Sequence, residues 1–81
     1  MNRIRRYLLY CLPQSSETHE ILLAGARRFQ NDPRVPVLLA NYQTNYQLAL
    51  DRNVPGDLHA EFAEQRDKSG RHLAEVLHDL L

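Results

Sequence analysis

The sequence predicts an all-α fold, a small bundle of three or four helices with antiparallel neighbours, and three observations lead there. Prolines at positions 13, 33, 36 and 55 divide the chain into stretches whose apolar residues recur at steps of three and four. No stretch alternates apolar and polar residues as a half-buried strand would. At 81 residues the chain is expected to form one domain, residues 1–81, with a small core that favours self-association or a partner.

The first predicted helix covers about residues 2–12. Ile4, Tyr7, Leu8, Cys11 and Leu12 form one stripe, with Arg3, Arg5 and Arg6 beside or opposite it. So short a helix is marginal alone and needs packing to hold it. The second begins at Ser15 or Ser16, either able to cap free N–H groups, with Glu17 and Glu20 in the first turns. It runs to about Gln30 and buries Leu22, Gly25, Ala26 and Phe29.

The third predicted helix opens with Asp32 as cap and Pro33 or Pro36 in its first turn, where a missing N–H does little harm. It extends to about Asn53, with Leu38, Leu39, Tyr42, Tyr46, Ala49 and Leu50 on one side. The fourth starts at "VPGDL" and reaches the C-terminus, with Leu58, Phe62, Gln65, Ser69, Leu73, Val76, Leu77 and Leu80 at near-heptad spacing. Polar Gln65 and Ser69, followed by Gly70, predict a kink or a wet patch in its middle.

Ten basic and ten acidic residues cancel, which argues against a general polyanion binder, and a hydrophobic content of 43% argues against disorder. The charge is uneven all the same. Residues 1–12 carry +3, and residues 55–81 carry −3. The single cysteine, Cys11, permits no internal disulfide and points to a reducing compartment. "MNRIRRYLLYCLP" imitates a signal peptide, but its apolar run stops at Pro13, short of the usual core of about 7 residues or more. The expected location is the cytoplasm; the lack of any acid before Glu17 keeps a mitochondrial presequence, and hence the matrix, as the alternative. No apolar run approaches the roughly 18 residues of a membrane span.

The most unusual stretch is "VPVLLANYQTNYQLAL", residues 35–50, which has no charged side chain and repeats Asn-Tyr-Gln four residues apart. Exposed helices ordinarily carry Lys, Glu and Arg, whereas interface centres are poor in charge and rich in tyrosine. Tyr42 and Tyr46 are expected at the core or its edge, their rings stacked one turn apart. Asn41, Gln43, Asn45 and Gln47 fill the other directions with Thr44. These six, Asn41, Tyr42, Gln43, Asn45, Tyr46 and Gln47, are the candidate partner-binding residues, with a hydrated face as the alternative reading.

Chemistry is mostly missing from the sequence. His72, Glu75 and Asp79 could share one side of a helix with His78 adjacent, but one surface helix converges ligands poorly and no paired-histidine zinc motif occurs. The three glycines make no phosphate loop, and no serine lies in a nucleophile elbow. No enzyme activity, cofactor or metal is expected. The second functional reading is nucleic-acid binding, through Arg3, Arg5, Arg6, Arg27 and Arg28, with Arg34, Tyr7 and Tyr10 nearby.

Two resemblances can be tied to residues. "NDPRVPVLLANYQTNYQLALDRNVPGDLHAEF" resembles a single tetratricopeptide helix pair, which would imply a protein-binding scaffold; it lacks that repeat's glycine, and one unit cannot build the stacked groove. "RRYLLY" is similar to the start of short mitochondrial helical adaptors with a Leu-Tyr-Arg triplet, but Cys11 follows Leu9 and Tyr10 here, so the arginine is missing. The reading that unites these features is a small non-catalytic protein-binding module of inhibitor, chaperone, immunity or assembly-adaptor type. Its partner is expected to be another protein, or a second copy in a homodimer.

Overall fold

The computed structural model describes residues 16–81, and the predicted helix over 2–12 lies outside them. Three helices follow in order: α1 (Ser16–Arg28), α2 (Arg34–Leu50) and α3 (Gly56–Leu80). They account for 83% of the described residues, among which there is no strand. The pair α2 and α3 packs most extensively, and α1 lies against both. The longest dimension, 38 Å, matches α3, whose 25 residues at about 1.5 Å each fill it.

The core gathers Leu22 and Ala26 of α1, Val35 and Tyr42 of α2, and Leu73, Ala74, Val76 and Leu77 of α3. It is off-centre, drawn from the first half of α2 and the second half of α3. Toward the α2–α3 connection cover is thinner. Leu50, expected on the buried side, is 61% exposed, and Leu58, expected in the seam, is 37% exposed.

The start of α2 is built as the sequence requires. Helical hydrogen bonding begins at Arg34, but Pro33 already has helical angles, φ −63° and ψ −20°. Asp32 therefore occupies the capping place: its Oδ1 accepts the Arg34 N–H at 2.9 Å and its carbonyl accepts the Val35 N–H at 3.1 Å. Pro33 supplies the first turn, where its lack of an N–H costs nothing.

The helix stops three residues short of the expected Asn53. Asp51 leaves the helix with ψ 121°, and its Oδ1 accepts the Asn53 N–H at 2.9 Å, a side-chain turn that competes with another helical step. The Asp51 carbonyl takes the Val54 N–H and, at 2.6 Å, the Nε2 of His59. Because a carbonyl only accepts, that Nε2 carries a proton.

In α3, Ser69 and Gly70, where a kink or a wet patch was expected, are buried within a continuous 25-residue helix. Gly70 is buried against the Tyr42 ring, so close that a Cβ would stand 3.0 Å from Cε1 and 3.1 Å from Cδ1. Ser69 is buried because its hydroxyl turns back onto its own helix, 2.7 Å from the Gln65 carbonyl and 3.1 Å from that of Arg66. Gln65 faces solvent instead.

Candidate functional site

Tyr42 is the hinge of the site. Its position between Val35 and Tyr46 on the 3–4 row turns the ring inward, and it is fully buried, 0% exposed. It supports the surface of α2 from beneath and does not lie on it. The hydroxyl is satisfied by Nδ1 of His19 at 3.0 Å. The His19 tautomer sets the direction: Tyr42 donates to a bare Nδ1, and a protonated Nδ1 donates to Tyr42.

His19 also lies flat on Tyr46, ring centroids 4.1 Å apart and planes within 19°. The two tyrosines meet at 5.9 Å and 55°. The stacking expected between them is thus supplied by histidine, and Tyr42 and Tyr46 meet obliquely, a geometry that aromatic quadrupoles favour over a face-to-face sandwich. No role was expected for His19, although His19, Leu22, Ala26 and Phe29 follow the 3–4–3 spacing of one helix side. That spacing was the available signal.

Of the other candidate residues, Asn41, Gln43 and Gln47 are exposed, while Asn45 and Tyr46 are half-buried. Asn45 Nδ2 donates to the Asn41 carbonyl at 3.0 Å and to Asn41 Oδ1 at 3.2 Å, so two of the amides are tied together along the helix. Pro36, Val37, Ala40 and Thr44 complete the outward side, Val37 being 69% exposed. The result is an accessible helix face without an ion from residue 35 to 50.

Charge is confined to the ends of α2. Arg34 forks onto Asp32 through Nε and Nη2, each at 3.1 Å. The side-chain hydrogen bonds from Arg34, with its backbone N–H next, hold the Asp32 carboxyl below its ordinary value of 3.8. Reciprocally, Asp32 raises the Arg34 guanidinium, and Asp79 of α3 adds to the same field.

The residues of the alternative basic patch are only partly placed. Arg3, Arg5 and Arg6 lie outside the described residues. Arg27 and Arg28 are exposed in the last turn of α1, where cations suit the helix dipole, and the Arg28 guanidinium sits 5.1 Å from the Phe29 ring centroid. Among the described residues no group of three His, Cys, Asp or Glu side chains is arranged to hold a metal. Glu75 lies 4.0 Å from Arg71. None of the described helices is long and apolar enough to cross a membrane. No protein family, curated protein or solved structure matches this chain.

Proposed function

We propose that this chain is a small non-catalytic protein-binding module that recognises its partner with the outward side of α2. One observation carries the reading. The exposed side of α2 holds only amide, hydroxyl and apolar groups over sixteen residues, whereas the exposed side of α3 is laced with ion pairs such as Glu64–Lys68. Burying an ion requires a matched counter-ion, while amides and methyl groups lose water at far smaller cost. A face of this composition suits repeated removal from water. Asn41, Gln43 and Gln47 supply the hydrogen bonds, Tyr46 a rim aromatic, and Tyr42 the rigid support.

The scaffold is read as an antiparallel pair of long helices. Support comes from two contacts between them, His59 with the Asp51 carbonyl and Gly70 with the Tyr42 ring, since one number rises as the other falls. An inhibitor, a chaperone, an immunity protein and an assembly adaptor all share this physics, in the cytoplasm or in the mitochondrial matrix. The partner is another protein, a second copy included.

The test uses the full chain as bait, alongside the Gln43→Arg, Gln47→Arg double variant. Both positions are exposed, so the variant keeps its helical circular dichroism and melting temperature. Proteins retained by the wild type and lost by the variant support the reading; an identical set with both sinks it. A labelled oligonucleotide that shifts at low salt and is released by added salt would replace it with the arginine reading.

A further inference from the structure

We infer that the outward side of α2 pairs with the same side of a second copy of this chain, the two helices antiparallel about a dyad between Tyr42 and Gln43. The inference rests on the reading of the uncharged outer surface of α2 as a binding surface and names the occupant of the part that runs through Val37, Asn41, Thr44 and Leu48, with Gln47 at its flank and Gln43 outside it. Arg34, Val37, Asn41, Thr44, Leu48 and Asp51 follow one another at steps of three, four, three, four and three. That is the 3.5-residue spacing of a two-helix seam. It is also a second row, separate from the buried one of Val35, Tyr42 and the half-buried Tyr46 and Ala49. All six residues are exposed except Leu48, which is half-buried.

The row is complementary to itself in one orientation. About a dyad between 42 and 43, residues whose numbers sum to 85 face each other. Val37 then meets Leu48, Asn41 meets Thr44, and Arg34 meets Asp51, each pair occurring twice. At about 1.5 Å per residue, Arg34 of one copy and Asp51 of the other lie at the same height, about 13 Å from the dyad. Charge decides the orientation. A parallel pair would set Arg34 against Arg34 and Asp51 against Asp51, and sliding the antiparallel pair by one heptad would part the opposite charges.

The end groups have capacity to spare. Asp32 takes Nε and Nη2 of Arg34, leaving Nη1 for the second copy. The Asn53 N–H takes Oδ1 of Asp51, leaving Oδ2. Between these ends an isologous contact brings no ion to the dyad, so the uncharged stretch closes on itself without like-charge repulsion.

Sedimentation of the full chain across concentration tests this. The wild type should associate to a dimer. Asn41→Lys and Thr44→Glu should each weaken the dimer by about tenfold, as an unpaired charge in a contact does. Combined in one chain they should restore it, because the introduced lysine of one copy meets the introduced glutamate of the other. A monomeric wild type, single variants without effect, or a double variant as weak as the singles would overturn the inference.

A second measurement does not depend on those charges. In a Cys11→Ser background, Val37→Cys with Leu48→Cys should oxidise to a linked dimer, while Val37→Cys alone, its two copies about 16 Å apart along the axis, should not. Linking by the single variant would overturn the orientation. If the wild type is monomeric while Gln43→Arg, Gln47→Arg still loses a partner, the homotypic pairing falls and the binding surface stands. If that double variant loses nothing either, both fall.

Discussion

The outer sides of α2 and α3 are made of different materials, although the two helices share one buried seam. On α3, Glu64 pairs with Lys68 at 3.3 Å and Arg71 with Glu75 at 4.0 Å, each one turn apart. On α2 there is no ion between its end residues, and Val37 stands 69% exposed among Asn41, Gln43, Thr44 and Gln47. Side chains such as those on α3 are at ease in water and support the helix by small local pairings. Those on α2 give the helix little local support, since Asn and Thr are weaker helix formers. The lesson is that α2 is held as a helix mainly by its buried inner side and its Asp32 cap, with little help from ion pairs on its outer side.

That separation can be broken most forcefully at the seam. Tyr42→Ala removes the largest fully buried side chain among the described residues and should lower stability by about 3–5 kcal/mol, measured by urea unfolding, with loss of everything on both outer sides. Gly70→Val attacks the same contact from α3. A branched side chain must enter a space where even a Cβ meets the Tyr42 ring at 3.0 Å, and the expected loss is about 1–3 kcal/mol. Gly70→Ala sharpens the point, because the gain of about 1 kcal/mol in helix propensity opposes a smaller version of the same clash. Its melting temperature should stay close to that of the wild type.

Smaller effects test how the inner side pins α2. Tyr42→Phe keeps the ring and removes the His19 hydrogen bond, at an expected cost of about 0.5–1.5 kcal/mol by thermal unfolding. At the start of the helix, Asp32→Asn keeps an oxygen for the Arg34 N–H but removes the charge paired with the guanidinium. The native Asp32 carboxyl titrates below its ordinary 3.8 because of the Arg34 hydrogen bonds, so its ionic contribution is complete above that value. It is lost as pH falls through the lowered native value. The wild type should therefore exceed the variant by a constant margin near neutral pH, and the two unfolding curves should converge in acid below pH 3.8.

Much of this was legible in the chain. The prolines and the 3–4 spacing located α1, α2 and α3, and the Asp32–Pro33 opening of α2 was readable because capping is local chemistry. Where the reading failed, the deciding partner lay elsewhere. Gly70 looked like a flexible point until the Tyr42 ring from 28 positions away filled the space above it. Leu50 belonged to the apolar row by spacing, yet it is exposed because the helix ends there and the core lies nearer Val35. His19 was overlooked because its role depends on two tyrosines of another helix. The outer row from Arg34 to Asp51 was hidden for a different reason: an amide and a hydroxyl at its centre do not register as a hydrophobic pattern.

The smallest expected changes in stability are the most telling for the contrast between the two outer sides. Glu64→Gln on α3 breaks an exposed pair, and such pairs contribute about 0–0.5 kcal/mol, so neither unfolding nor sedimentation should respond. Gln43→Arg on α2 replaces one exposed side chain by another and should also leave unfolding within about 0.5 kcal/mol of the wild type. If the α2 surface is a contact, the second substitution nevertheless alters what the chain holds, because the guanidinium must lose water where no counter-ion waits for it. Two substitutions equal in stability and unequal in binding would assign the difference between the helices to recognition. Two that are equal in both would make the outer side of α2 an ordinary solvated surface.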